Sequence, residues 1–402
     1  MKHSILLAIL FILISGVHAQ QTDSLSNNYK NSAELLLSAD GKLMIGGYGE
    51  VHYNQPLNAT IRNNGSLDVH RMILFLGYNF NSRTRFISEF EFEHVSEVYV
   101  EQAFLQHRVN NFINFRAGLL LIPMGIINEY HEPTTFNGVE RPLIDSKIAP
   151  TTWREIGLGF SGNILPASLK YQLYVVNGFN GYKAGVATLN GNNGLRNGRQ
   201  KGAESYISSP NFTGKVEYYG IRNLNIGLSA YVGKTQSSLY QGIDKTNSGA
   251  IAKADSSVTN ISMIGLDARY NLGGLQMRGQ FYYTSVANTE QYNKFTAKNG
   301  INNNLGSAMI GYYGEVGYNV LRFMNNTNTE LIPFVRYENY NTHHATGSGL
   351  VKNKAYNNNV ITTGLTYKLT KGVALKADMQ FVKSEAATEY SRVFSAGVGV
   401  MF

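Results

Sequence analysis

The sequence predicts an all-β protein: a transmembrane, antiparallel, up-and-down β-barrel of about sixteen strands. Three observations predict this fold. The 402-residue chain starts with an export signal, its side chains alternate between apolar and polar along most of the remainder, and its connections alternate between short and long. A period of two is typical of strands with one apolar face, and closing such a sheet removes the unpaired edges that invite aggregation.

Residues 1–19 are predicted to be a signal peptide. Lys2 precedes a short apolar run, and Val17-His18-Ala19 supplies the small residues that signal peptidase requires, so cleavage is expected after Ala19. The run is too short for a transmembrane helix, which needs about 20 apolar residues.

Two further regions follow the signal peptide. Residues 20–40 are polar apart from Leu35-Leu36-Leu37, and we interpret them as a periplasmic segment with about one helical turn and no separate domain. Residues 41–402 are interpreted as the barrel domain, because the two-residue period dominates from Gly41 onward.

Sixteen segments fit the alternating pattern, and most reach the ~9–11 residues that a tilted strand needs to cross a bilayer. In residues 98–109 two opposite alternations compete, so the inward face of this strand is ambiguous. Fourteen or eighteen strands are the alternatives, and an even number is expected. The segments are residues 41–53, 67–80, 83–93, 98–109, 112–121, 154–163, 168–178, 211–219, 222–233, 260–271, 274–286, 308–320, 329–340, 359–369, 372–383 and 391–402.

The last segment carries a predicted assembly signal. Val398, Val400 and Phe402 share its apolar face, and the chain ends on this Phe. Such an ending is typical of the proteins that the barrel assembly machinery inserts into the outer membrane. That machinery and outer-membrane lipid are therefore the expected partners, and the cell outer membrane of a Gram-negative bacterium is the expected location.

The connections support the same topology. Linkers after even-numbered strands are short, as at Asn110-Asn111 and Leu272-Gly273, whereas most linkers after odd-numbered strands are long. Short periplasmic turns and long external loops alternate in this way in outer-membrane barrels. An even strand count would place both termini in the periplasm.

Composition excludes several classes of function. The chain has no Cys, which excludes disulfides, thiol nucleophiles and Cys-based zinc sites. Removing Lys2 with the signal lowers the formal net charge from +8 to +7, and the basic residues are scattered, so nucleic acid is not an expected partner.

The inward face of the barrel is predicted to carry charges of both signs with a small basic excess. A barrel of this size is too wide for its own side chains to fill, so we expect a water-filled lumen and a weak preference for anions. The alternative is that the charges only brace the inner wall. The predicted inward-facing charges include Arg71, Arg83, Arg85, Glu89, Glu91, Glu93, Arg116, Lys170, Arg278 and Arg336.

Residues 122–153 form the third external loop, which is long, charged and rich in Pro. Its apolar residues and the only Trp of the chain indicate an ordered loop, and folding into the lumen would bury them and narrow the pore. The predicted constriction residues are Glu129, His131, Glu132, Glu140, Arg141, Asp145, Lys147 and, just after the loop, Arg154.

The run Phe115-Arg116-Ala117-Gly118-Leu119-Leu120-Leu121-Ile122-Pro123-Met124-Gly125 resembles the strand-to-loop signature of the phosphate-selective porin O/P family. Glu140-Arg141-Pro142, followed by residues 153–157, is similar to the next segment of that family, and the chain also resembles porins of the Bacteroidetes. The motifs cover only about residues 105–180. The resemblance implies a sixteen-stranded homotrimer whose third loop constricts the channel. Leu119 and Leu121 replace the Gln and Lys that the family commonly has, which weakens the implication of phosphate selectivity.

The leading hypothesis is a porin for small anionic or neutral solutes, and the alternative is a barrel-anchored surface protein whose loops bind a ligand or partner. No catalytic site, cofactor or metal site is predicted. His94, His107 and His131 show no recognisable triad spacing, and His343-His344 lies in a polar loop. The Gly- and Asn-rich residues 178–202 are predicted to form a surface loop.

Overall fold

The computed structural model describes residues 30–38, 41–324 and 328–402. The predicted signal peptide, residues 1–19, and most of the predicted periplasmic segment lie outside these residues, so the proposed division of the chain stays a prediction. Among the described helices, none has the length and apolar character needed to cross a membrane.

Sixteen strands of the described chain close into one barrel, which confirms the predicted fold. Every predicted strand is present, with ends that differ by no more than about five residues. The barrel strands are β1 (Leu43–Leu57), β2 (Ser66–Asn79), β3 (Thr84–Glu93), β4 (Glu97–Arg108), β5 (Asn114–Leu121), β6 (Arg154–Ile164), β7 (Leu169–Val176), β10 (Asn211–Ile221), β11 (Leu224–Lys234), β13 (Asn260–Leu272), β14 (Leu275–Ala287), β15 (Ala308–Tyr318), β16 (Glu330–Ala345), β17 (Asn357–Thr370), β18 (Val373–Ser384) and β19 (Ser391–Met401).

The topology is antiparallel and up-and-down. Each barrel strand pairs with the next barrel strand along the chain, and β1 pairs with β19 to close the sheet, with Gly49 opposite Val400. Three short strands outside the barrel form a separate small sheet: β8 (Asn180–Lys183), β9 (Val186–Ala187) and β12 (Gln236–Ser237).

Alternation along each strand separates an apolar exterior from a polar interior. On β11, Leu228 and Val232 are about half exposed on the outside, whereas Asn225, Ser229 and Tyr231 are buried inside. The outward row is the apolar one, as the sequence predicts. An exterior of exposed aliphatic side chains around a closed sheet is typical of a barrel in contact with lipid.

A β-bulge explains the strand whose inward face was ambiguous. The register between β3 and β4 shifts at Glu89/Phe90, where Glu89 lies opposite Gln102 and Phe90 lies opposite Val100. Glu101 is therefore the extra residue, and both Glu101 and Gln102 are buried. A bulge of this kind exchanges the two faces of a strand, so each of the competing alternations is correct on one side of it.

Helical structure in the described residues is confined to the N-terminal segment and the connections. The α-helices are α1 (Ser32–Ser38), α2 (Ile144–Lys147), α3 (Ser248–Asp255) and α4 (Thr289–Phe295). Short 3-10 turns cover Leu165–Ala167, Arg196–Gly198, Ser238–Tyr240, Val320–Phe323 and Lys354–Tyr356.

The two ends of the barrel differ. One end, the short-turn end, has tight connections such as Gly273-Gly274 between β13 and β14; both glycines have positive φ. The other, the long-loop end, has the extended connections. Residues 178–202, in the 177–210 connection between β7 and β10, were predicted to be a surface loop, but Phe179, Leu189 and Leu195 are buried. The loop is packed because Tyr292 on α4 donates to the Gly181 carbonyl, and Leu189 N–H donates to the Tyr292 hydroxyl.

A loop-filled lumen as the candidate functional site

Residues 122–153, hereafter the lumen loop, contact inward-facing side chains on many strands of the barrel. The loop leaves β5, and Val139 N–H donates to Asp378 on β18, while Ile144 N–H donates to Glu338 on β16. Glu140 accepts from Asn54 on β1. Because these strands lie on different sides of the barrel, the loop crosses its interior.

His131 of the lumen loop lies between two carboxylates of the wall. Its Nε2 is 3.7 Å from Glu89 Oε1 on β3 and 3.6 Å from Glu101 Oε1 on β4. Burial disfavours the charged imidazole, but the two carboxylates outweigh this effect and raise the pKa of His131 well above its usual value. The charged form of His131 therefore links the loop to β3 and β4.

Lys215 on β10 holds the loop from another direction. Its ammonium lies 3.2 Å from Glu129 of the loop and 3.3 Å from Asp267 on β13, and it donates to the Gly125 carbonyl at 2.6 Å. Gln172 on β7 donates to the other oxygen of Glu129 at 2.5 Å. The Glu129 carboxylate is thus shared between two strands of the wall.

Asp145 on α2 faces β14. Gln280 Nε2 and the Tyr282 hydroxyl donate to the same Asp145 oxygen, at 2.6 and 2.9 Å. Burial raises the pKa of the Asp145 carboxyl to about 7, against the two hydrogen bonds that lower it. This part of the loop is therefore held by hydrogen bonds rather than by an ion pair.

A network of one arginine and two carboxylates also contacts the lumen loop. Arg336 on β16 lies 3.2 Å from Glu315 and 3.1 Å from Glu338. The same guanidinium donates to the loop carbonyls of Asn137 and Glu140, at 3.4 and 3.2 Å. Hydrogen bonds between a guanidinium and a carboxylate are among the stronger charge-assisted hydrogen bonds.

The lumen is not uniformly wet, which corrects the expectation from the sequence. In the described chain, thirteen carboxylates and six Lys or Arg side chains are buried. The prediction assumed that inward-facing charges are solvated by water because a dry core would destabilise them. At the level of the loop, paired side chains and loop peptide groups replace that water.

The structure places the remaining predicted loop residues in three settings. Glu132 accepts from Ser32 N–H on α1, and Arg141 donates to the His131 carbonyl. Lys147 is half-buried and donates to the Asn192 carbonyl of the 177–210 loop. Arg154, at the start of β6, is buried with its guanidinium 5.7 Å from the Tyr99 ring centre.

The predicted inward-facing charges on the strands differ in burial according to their position along the barrel axis. Arg71, Glu89, Glu91 and Arg336 are buried beside the loop, whereas Glu93 is half-buried near the long-loop end. Basic side chains that keep some exposure lie near the short-turn end, where Arg83 is exposed and the others are half-buried: Arg85, Arg116, Lys170 and Arg278.

The helix α1 lies at the short-turn end against β1, β2 and β3. Lys170 pairs with Glu34 of this helix at 2.6 Å, and Arg85 donates to the Leu37 carbonyl. A small pocket lies between α1, the wall and the lumen loop, and Arg116, Glu129 and Gln172 contribute to its lining.

Sequence reasoning missed Glu101 as a site residue. Its inward position follows from the bulge in β4, and the only signal in the sequence is the conflict between the two alternations of residues 98–109. Gln280 and Tyr282 were also missed as loop contacts, because nothing local to β14 indicates that they meet Asp145.

Comparison with known proteins finds relatives in sequence and in fold. A protein of Aquifex aeolicus (strain VF5), named "Uncharacterized protein", is 35% identical over 347 residues, which cover 83% of this chain and 74% of the relative. No family model matches the sequence, so the resemblance to the phosphate-selective porin O/P family stays a prediction.

Solved structures with the same fold include outer-membrane channels. The anion-selective porin of Comamonas acidovorans has a TM-score of 0.56 at 14% identity and covers 90% of this chain and 99% of its own. Salmonella typhi OmpF, in complex with daunomycin, has a TM-score of 0.58 at 13% identity, with coverages of 90% and 97%. The channel DcaP of Acinetobacter baumannii has a TM-score of 0.55 at 10% identity, with the same coverages.

Proposed function

We infer the function from two premises: the chain belongs to the same family as the Aquifex aeolicus protein, and its fold is that of the sixteen-strand porins. We propose that the protein is an outer-membrane porin through which small hydrophilic solutes diffuse passively. One observation carries this proposal. The barrel is apolar outside and charged inside, and a soluble protein would not expose that many aliphatic side chains around a closed sheet.

The lumen loop is proposed to set the size of the pore. Its contacts reach β3, β10, β14, β16 and β18, so it restricts the cross-section of the barrel from several sides. Solutes that are larger than water have to pass beside the loop or displace part of it. The predicted constriction residues act in this proposal mainly by fixing the position of the loop.

A weak preference for anions is proposed from the partly exposed cations near the short-turn end. Arg116 lines the pocket below the loop, and Arg85 and Lys170 are half-buried beside α1, where they contact the Leu37 carbonyl and Glu34. The buried carboxylates Glu129 and Glu315 are paired with cations inside the packed layer. Charges that border the water path set ion selectivity. A preference for phosphate has weaker support, because the Lys of the family motif is replaced by Leu121.

The proposed setting follows from the same architecture. The porin proposal includes a location in the outer membrane and insertion by the barrel assembly machinery. It also includes a homotrimeric assembly and periplasmic termini. The apolar exterior supports contact with lipid or with neighbouring copies of the chain. We expect no catalytic activity and no cofactor.

Reconstitution in planar lipid bilayers tests the proposal. Purified trimeric or monomeric protein should give discrete conductance steps, and a salt gradient should give a reversal potential of the sign expected for anions. Silent membranes combined with ligand binding by the long loops would support the alternative, a barrel that only anchors a binding surface. Conductance steps with a reversal potential of the sign expected for cations would support the porin function but contradict the proposed preference for anions.

A further inference from the structure

A second β-bulge lies on the inner wall near the long-loop end. Glu50 on β1 lies opposite Arg71 on β2, but the next residue, Val51, lies opposite Val69. His70 is therefore the extra residue of the bulge, and a bulge re-aims the side chain that it carries. The His70 ring stacks on that of His52, with ring centres 4.6 Å apart, and His52 is buried inside the barrel.

Two further side chains meet His70. Asp68 lies two residues earlier on β2, and His94 directly follows β3 with a φ of 51°. The same Asp68 oxygen, Oδ2, is 2.7 Å from His94 Nδ1 and 3.5 Å from His70 Nδ1. Ligand atoms of the three residues all lie within 4.8 Å of one another.

These separations suit one transition-metal ion. Zinc–ligand bonds of about 2.0–2.1 Å in a tetrahedral site place the ligand atoms about 3.3 Å apart, and the two observed distances lie on either side of that value. The side chains of Asp68, His70 and His94 are 32%, 30% and 48% exposed. An ion can therefore reach them from the long-loop end, and water can take a fourth position.

Neighbouring residues hold one of the ligands in place. His52 stacks on His70, and its two ring nitrogens each lie 3.2 Å from a carboxylate, Nε2 from Glu50 and Nδ1 from Glu140 of the lumen loop. Partners that fix the orientation of a ligand side chain contribute strongly to metal affinity. The bulge, the stacked ring and the loop carboxylate together fix the His70 imidazole.

We propose that Asp68, His70 and His94 bind one divalent ion of the zinc type at the long-loop mouth of the barrel. Two imidazoles and one carboxylate favour Zn²⁺, Ni²⁺ or Cu²⁺ over Mg²⁺ and Ca²⁺, which prefer sites made of oxygen ligands. The inference does not rest on the proposed channel function, since an anchored surface protein could carry the same site.

Another group with suitable ligand atoms, Glu89, Glu101 and His131, supports no metal site. Both carboxylates lie beside the His131 imidazole in the buried layer. Arg71 and Arg154 lie close enough to attract the Glu101 carboxylate electrostatically, so cations of the protein already balance the negative charge there. The loop-to-wall ion pairs already account for this group.

Calorimetric titration of ZnCl₂ into the folded protein in detergent tests the proposal, using an affinity tag without histidine. The expected result is one ion per chain. His70→Ala, His94→Ala and Asp68→Asn should each lower the zinc affinity by at least about 100-fold, because loss of a ligand costs at least as much as loss of a residue that orients one.

His107→Ala is the matched control. His107 is an exposed histidine near the short-turn end that contacts Thr84, and its removal should leave the zinc affinity unchanged. The shift in gel migration between heated and unheated samples verifies that each variant is a folded barrel. The proposal is overturned if the folded protein binds no zinc, if the three variants bind zinc as tightly as the parent protein, or if Mg²⁺ competes equally for the site.

Discussion

Ile144 of the lumen loop lies directly against Gly311 on β15, so that a Cβ built on Gly311 would be 3.4 Å from the Cβ of Ile144. This separation is close to the lower end of the range for a disulfide bond. The chain has no Cys, so a pair of introduced cysteines would be the only thiols. The relationship offers a direct way to fix the loop to the wall.

We predict that the double variant Ile144→Cys/Gly311→Cys conducts less when oxidised than when reduced. A disulfide would hold the lumen loop against the wall and prevent the loop movement that would widen the pore. Single-channel recordings with and without a reductant measure the difference, and each single-cysteine variant serves as a control that should not respond. Equal conductance in both states would mean that ions pass beside a loop that does not move.

Deleting residues 129–147 should raise the single-channel conductance by about twofold or more, because the loop crosses an otherwise wide barrel. Deleting residues 386–389, an exposed connection between β18 and β19, should leave the conductance near that of the parent protein. An unchanged conductance after deletion of residues 129–147 would show that the lumen loop does not constrict the pore.

Lys215→Met should lower the free energy of unfolding by about 3–5 kcal/mol, because Glu129, Glu217 and Asp267 would lose a buried cation within 4 Å. Lys294→Met is the comparison: its ion pair with Glu290 is exposed, and the expected change is below about 0.5 kcal/mol. Urea unfolding in detergent measures both. Similar losses for the two variants would argue against a structural role of the buried network.

The docked state of the loop should weaken as the pH rises from about 4 to about 7. The pKa of Asp145 is raised by burial from 3.8 to about 7, so the folded protein holds this proton more tightly than the unfolded chain does. The stabilisation is therefore complete below the unfolded pKa and is lost as the pH rises through the folded pKa.

Asp145→Asn tests this dependence, because the amide stays neutral at every pH. Between pH 5 and pH 8 the parent protein should lose more unfolding free energy than the variant, by on the order of a few kcal/mol. Unfolding in urea at the two pH values gives the comparison. Parallel losses in the two proteins would assign the pH dependence to other groups.

Phe402→Ala should lower the amount of folded barrel in the outer membrane severalfold while the purified protein still refolds in detergent. The Phe402 backbone pairs with Gly47 in both directions, at 2.9 and 3.0 Å, and these bonds do not need the ring. Val351→Ala, at an exposed loop position, is the control. If both variants assemble at the parent level, the terminal Phe is not an assembly signal.

The sequence alone determined the strands and, away from the bulges, which side of the sheet their residues face. Alternation along Leu224–Lys234 or Ser391–Met401 is a local property, because successive side chains of a strand point to opposite faces. The number of strands and their order follow from the same local pattern together with the alternation of short and long connections.

Only the tertiary structure decided what fills the barrel. Glu129 meets Lys215 and Asp145 meets Gln280 across 86 and 135 residues of chain, and no local pattern specifies such partners. The bulges at His70 and Glu101 likewise depend on the register with the neighbouring strand, since an extra residue exists only relative to its partner. The expectation of a wet lumen was wrong at the level of the loop because peptide groups and paired charges there replace water.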